Sequence, residues 1–175
     1  MGRQMSGVLG AIAAATVALA IAAPASAQAA GSETITGVVV AKTAADVRTV
    51  VGSVVIARGV LKESGKLVEV PSQPTDPENV LRDDLVFRDG TLHLVSTTVS
   101  FDLSIDPRSC VASIVVGSTA VIDGGTGRFT NASGSFVGTL RGHALAVRNP
   151  DGTCSQEQPP RVEVDKFTEE GTLSF

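Results

Sequence analysis

One stretch constrains this chain more than any other. Between Ser113 and Val147 a β-rich run rises to Ile122, the glycine-dense segment Asp123-Gly124-Gly125-Thr126-Gly127-Arg128-Phe129 reverses it, and a second β-rich run leaves through Ser133 to Leu140. Two strand-forming runs joined by such a turn predict a β-hairpin. On the outgoing run Gly134, Gly138 and Gly142 alternate with Phe136, Leu140 and Ala144 along a single parity. Small and large residues alternating on one face suit the interior of a narrow, strongly coiled barrel, because glycine lets the backbone bend and approach its neighbours. The opposite face carries Val137, Thr139, Arg141, His143, Leu145 and Val147. Pattern alone leaves open which of the two faces lines the lumen.

The flanking sequence repeats the same grammar. Runs rich in Thr, Ile and Val predict strands over 33–41, 47–51 and 54–62, with Gly52-Ser53 as a break, Glu63-Ser64-Gly65-Lys66 as a turn and a short strand over 67–70. The three prolines between Pro71 and Pro77 cannot sit in a central strand and predict a surface loop, placed to rim a barrel mouth. Strands over 80–87 and 91–105 join through Arg88-Asp89-Gly90, and Asp-Gly is a strong hairpin signal. Along the second, Val95, Val99, Phe101, Leu103 and Ile105 share one parity while Ser96, Thr98, Ser100, Asp102 and Ser104 share the other, the period-2 pattern of a sheet with one packed side. His93 falls on the apolar parity. After a long loop holding Cys154, the last strands are predicted over 161–167 and 171–175. No long i, i+3, i+4 apolar stripe occurs. The predicted fold is all-β, a closed or nearly closed antiparallel β-barrel of about eight strands, since closure removes exposed edges. A two-sheet sandwich is the alternative.

The first residues read differently. Arg3 supplies a positive end, Val8 to Ala22 is an uninterrupted apolar run, and Pro24-Ala25-Ser26-Ala27 offers the small residues a signal peptidase requires. This predicts a signal peptide over 1–27, a single barrel domain over 28–175 and a secreted, extracellular protein; a retained membrane anchor is the rival. The formal net charge of −4 becomes one unit more negative once Arg3 is removed. Without a basic run there is no electrostatic footprint for nucleic acid or anionic membrane, so neither is an expected partner. Cys110 and Cys154, the two cysteines of an exported chain, are expected to form a disulfide. Closing that loop constrains the unfolded chain by about 4 kcal/mol. Two cysteines and two histidines scattered over 93, 110, 143 and 154 lack the short spacing of a zinc site. No metal or other cofactor is expected.

Chemistry-bearing motifs are few. Gly125-Thr126-Gly127 resembles a dinucleotide loop only faintly, because Thr130 stands where a third glycine belongs and a strand follows instead of a helix. No Gly-x-Ser-x-Gly elbow occurs, and Asn131-Ala132-Ser133 is a sequon that matters only in a glycosylating host. Arg141 and His143 are the sharpest candidates. Two apart on one strand, they point the same way, and with Asp102 or His93 opposite they could form a polar cluster inside a barrel that holds one anionic or carbonyl oxygen of an apolar ligand. The plain alternative is an exposed sheet face, where long polar side chains are ordinary. The six Phe, with no Trp or Tyr, leave out the stacking platforms of carbohydrate and single-strand nucleic-acid binders.

The Gly124-Gly125-Thr126-Gly127-Arg128-Phe129 segment, with Gly134 beyond it, resembles the GGTGRF-type segment of the dirigent and allene oxide cyclase barrel families, including the secreted members predicted in actinobacteria. The resemblance covers roughly 54–175. It implies an eight-stranded antiparallel barrel with an apolar cavity. Dirigent proteins orient phenoxy radicals for coupling, allene oxide cyclases fold a reactive epoxide for ring closure, and related bacterial barrels close polyketide rings, all mainly by shaping the substrate. This chain lacks the tyrosines of the plant members. None of their cavity residues aligns here, so Gly124, Gly125 and Gly127 carry over as fold markers only. Three functions follow in order: a secreted barrel binding a small apolar molecule, a cyclase- or dirigent-like enzyme, and a structural or protein-interaction module. Whether the chain is catalytic, and its oligomeric state, stay open at this point.

Overall fold

A computed structural model describes residues 28–175 of the chain; the predicted signal peptide lies outside the described residues. Eight strands follow one another: β1 (Ala30–Ala44), β2 (Val47–Gly59), β3 (Lys62–Val70), β4 (Val80–Phe87), β5 (Gly90–Ile105), β6 (Val111–Gly125), β7 (Ser133–Leu145) and β8 (Val162–Ser174). A short 3-10 turn, Gly127–Phe129, lies between β6 and β7. Each strand pairs antiparallel with the next, and β1 pairs with β8, so the sheet closes on itself in chain order as the predicted barrel.

The inward face is the one that carries Gly134, Phe136, Gly138, Leu140, Gly142 and Ala144 on β7. Across the ladders these residues stand opposite Leu173, Gly171, Glu169, Phe167, Asp165 and Glu163 of β8. The alternation now has a reason: opposite Leu173, Glu169 and Asp165 of β8, β7 supplies glycine, and Gly37 of β1 makes the room for Phe167. A Cβ at Gly138 would overlap the Glu169 carboxylate, and one at Gly142 would overlap that of Asp165.

Several predicted boundaries move. Gly52-Ser53 does not break β2; the strand runs through, and the register slips by one residue opposite Val40/Ala41. That slip is a β-bulge, which absorbs the extra residue and adds twist. The predicted turn at Glu63–Lys66 is part of β3, and the chain reverses instead at Val60-Leu61. Gly65 serves there as a close-approach residue, with a virtual Cβ overlapping the Val86 carbonyl. The two predicted C-terminal strands are one, because Gly171 lies in mid-strand against Ser135 of β7. The β5–β6 ladder shifts twice, at Leu92/Leu94 and at Thr98/Ser100, and the second of these flips the parity of β5. Leu92 and Leu94 point inward before it and Phe101, Leu103 and Ile105 after it, so the single apolar face predicted for this strand, with His93 on it, is corrected: His93 and Val95 point outward.

The barrel has a closed end and an open end. At the closed end Phe129 is fully buried and packs on Phe87 and Phe175, with ring centroids 5.9 and 5.1 Å away. The Arg128 guanidinium covers the Phe129 ring at 4.7 Å from its centroid and pairs with Glu63 at 3.0 Å. Gly127, at φ +59, packs so close to the Asp89 carbonyl that a side chain would collide; a left-handed backbone in such close contact is a place for glycine. Ile35, Leu61, Leu85, Leu92 and Leu173 fill the rest of this half, each at most 2% exposed.

The open end is framed by the β3–β4 and β7–β8 connections. The first is the proline-rich loop, held by Asp76, whose carboxylate accepts from the Gln73 amide and from Arg82 at 2.7–2.9 Å. The second is tied down by the Cys110–Cys154 disulfide, with Cα atoms 5.4 Å apart.

Candidate ligand site at the open end of the barrel

The wall is incomplete at this end. β2 pairs with β3 only over Val55–Arg58, and β4 leaves β5 after Thr97. β3 runs on to Val70 paired with β4 alone, and beyond Val70 and Thr97 six strands carry on without the two. Ser53 Oγ wedges the parting strands, accepting from the Leu67 amide at 3.0 Å and donating to its carbonyl at 2.8 Å. A groove of about 470 Å³ opens there, lined by residues including Arg48, Val50, Leu67 and Glu69.

Two kinds of surface meet at this mouth. On β5 and β6, Phe101 and Leu103 stand opposite Val116 and Ile114. Phe101 is 60% and Leu103 49% exposed although both are on the inward parity; Leu92 and Leu94, inward on the same strand before the bulge, are 0% and 4% exposed. On the other side the wall is charged. Arg48 donates to both carboxylate oxygens of Glu163, at 3.2 and 3.1 Å, pairs with Glu69, and lies 3.6 Å from Asp165. Glu69 stands opposite Asp83 on β4.

Burial decides the protonation of this cluster. Asp165 is pushed up to about 8, first by desolvation, then by the hydrogen bond and charge of Glu163, with Arg48 opposing. Burial acts the same way on Glu163, but hydrogen bonds from Asp165 and Arg48 outweigh it and hold its carboxyl below the ordinary value. At neutral pH the pair therefore shares one proton, carried by Asp165. Asp83 is raised to about 6 by burial and by the Glu69 charge, against Arg48. Deeper in the lumen burial raises Glu169, although Ser118 donates to its Oε1 at 3.2 Å. Asp165 Oδ1 and Glu169 Oε2 have no hydrogen-bond partner.

The residues singled out in the sequence are elsewhere. Arg141 and His143 lie on the exposed outer face of β7, beside Lys166 and Val164 of β8. His143 Nδ1 is 3.4 Å from Ser113 Oγ. Asp102 also points outward, and Val115 stands between it and Arg141 in the same row of the sheet. His93, outward on β5, pairs with Asp84 at 2.6 Å. The four do not come together, because the glycine-bearing parity of β7 is the one turned inward. The outward direction of Arg141 and His143 also removes the basis for an anionic ligand group, since the inward wall is predominantly acidic. One signal for the inward carboxyls is present in the sequence: Gly138 and Gly142 are spaced like Glu169 and Asp165, as antiparallel partners must be.

Among the described residues no group of three or more metal-ligating side chains is gathered, and no helix is long and apolar enough to cross a membrane. Comparison of the chain with protein-family models, with curated proteins and with solved structures finds no match.

Proposed function

We propose that this is a secreted β-barrel protein that binds a small, mainly apolar molecule in the open half of its barrel. The observation that carries the reading is the exposure of inward-facing Phe101 and Leu103 in a barrel whose other half is filled. Apolar surface left open inside a concave wall, with a few polar groups converging on it, is the ordinary make-up of a small-molecule site. The apolar leader and the disulfide support export. The test is a Nile red titration of the exported protein and of a Phe101→Ser/Leu103→Ser variant. The wild type should give blue-shifted, saturable emission, and the variant should lose most of it. Absence of binding by the wild type, or equal binding by the variant, would sink the reading.

A second reading has its own support. The proton shared between Asp165 and Glu163 places an acid beside an ionised carboxylate at neutral pH, as a cyclase or coupling template would use it. The eight-stranded barrel and its Gly124–Phe129 turn agree with the dirigent and allene oxide cyclase resemblance at the level of fold. Turnover lost in Asp165→Asn while Nile red binding persists would favour catalysis; unchanged turnover would speak against it.

A further inference from the structure

Resting on the reading that the open half holds a ligand, we propose that the ligand is a lipophilic cation, an amine or guanidine carried on an aromatic or aliphatic body. The mouth is divided by charge. Phe101, Leu103, Ile114 and Val116 make the apolar side, and Glu69, Asp83, Glu163 and Asp165 come in from β3, β4 and β8. Arg48 of β2 is the one inward-facing cation on these strands, and its donors are committed to Glu163 and Glu69. β1 and β7 contribute Val39 and Gly142 beside Asp165, with no charge.

The second observation is independent of the count of acids. Asp165 and Glu169 are each only 5% exposed, and each keeps one carboxyl oxygen without a hydrogen-bond partner. Both lie against glycines, which have no side chain to offer. Native interiors rarely leave such atoms unpaired, because desolvation without a replacement bond is costly. A ligand ammonium or guanidinium would supply donors and charge together while its body covers Phe101 and Leu103. The proton held by Asp165 would then leave to solvent as the cation takes its place. An anion would meet the same wall with repulsion, and a neutral hydroxyl would supply a donor without the charge.

The test is calorimetric titration of the exported protein at pH 7 with three compounds sharing one ring system, 2-naphthylmethylamine, 2-naphthylmethanol and 2-naphthoate, in two buffers of different ionisation enthalpy. The amine should bind at least about tenfold tighter than the alcohol, and the alcohol tighter than naphthoate. The observed enthalpy of amine binding should change with the buffer, which reports the released proton. Asp165→Asn should remove most of the amine's advantage and the buffer dependence. Naphthoate or the alcohol binding as tightly as the amine would overturn the cation proposal and leave the ligand site standing; failure of all three would overturn both. The order among the three compounds is read on the wild type, so it does not depend on the variant folding.

Discussion

At the scale of single residues, the inward carboxyls set how stability depends on pH. Asp165 and Asp83 hold their protons more tightly in the folded chain, at about 8 and about 6, than at the ordinary aspartate value of 3.8. Between those limits the native state binds more protons than the unfolded one. Stability therefore falls as pH rises, first through the range of Asp83 and then through that of Asp165. Asp76, lowered to about 2 by Arg82 and the Gln73 amide, acts in the opposite sense but only below 3.8. The urea midpoint should decline from pH 4 to pH 8, and Asp165→Asn should raise it at pH 8 while changing it little at pH 4. A midpoint that climbs over this range would contradict the assignment of the proton to Asp165. The glycines are testable at the same scale. A Cβ at Gly37 would run into the Phe167 ring, whereas one at Gly52 meets nothing within 4 Å. Gly37→Ala should cost about 1–3 kcal/mol of unfolding free energy, as overpacked cores do, with Gly52→Ala close to neutral in the same denaturation series.

At the scale of elements, the disulfide and two of the three register shifts, those at Val40/Ala41 and Thr98/Ser100, carry the consequences. Cys110–Cys154 closes a separation of 44 residues and ties the turn before β6 to the long β7–β8 loop. Around it Ala146 donates to the Cys110 carbonyl at 2.9 Å and Arg148 to the Arg108 carbonyl at 2.6 Å. The bond lies at the rim, with Cys110 buried but outside the main hydrophobic cluster and Cys154 half-buried, so reduction should cost about 2–4 kcal/mol in urea while the β-sheet circular dichroism at zero denaturant stays unchanged. An unaltered midpoint after reduction would show that the loop holds without it. The bulges explain what was legible in the sequence and what was not. Alternation along β7, the Asp-Gly hairpin and the Gly124–Phe129 reversal are local signals, and each stands where the sequence puts it. The parity of β5 is not local: Val99 reads as one more member of an apolar face until its partner strand shows it to be the extra residue. The same holds for the site. Arg48, Glu69 and Asp83 come from three strands whose register no period reveals, whereas Arg141 and His143 stood out because they are neighbours in sequence.

At the scale of the whole molecule, the barrel is two unlike halves stacked along one axis. In the closed half the ring of strand pairings is complete, and it holds the aromatic plug of Phe87, Phe129 and Phe175 and inward leucines removed from water. The open half keeps β6, β7, β8 and β1 paired on both sides, but β2 before Ser53 and β5 after Thr98 are edges. Asn79 caps the start of the β5 edge, exchanging hydrogen bonds with the Thr98 backbone at 2.9 and 3.1 Å, and from Val99 to Ile105 no strand lies on that side among the described residues. Long exposed edges are a hazard that proteins cover or break, and here the apolar side chains on that edge include the two that are read as ligand wall. Local opening takes least free energy where backbone bonds are few and side chains are wet. Amide exchange should therefore divide the molecule by height instead of by strand. The inner-ladder amides of β7 opposite β6 and β8 should open only with global unfolding, at about 5–15 kcal/mol for a domain of this kind. The outward-edge amides between Val99 and Ile105, and those of β2 between Arg48 and Gly52, should show protection near zero. Addition of 2-naphthylmethylamine should slow exchange in the second set and leave the first unchanged, since a ligand in the open half stabilises only openings that release it. Uniform protection along β5, from Leu92 to Ile105, would mean that the edge is covered in solution and that the mouth is not free to receive a small molecule.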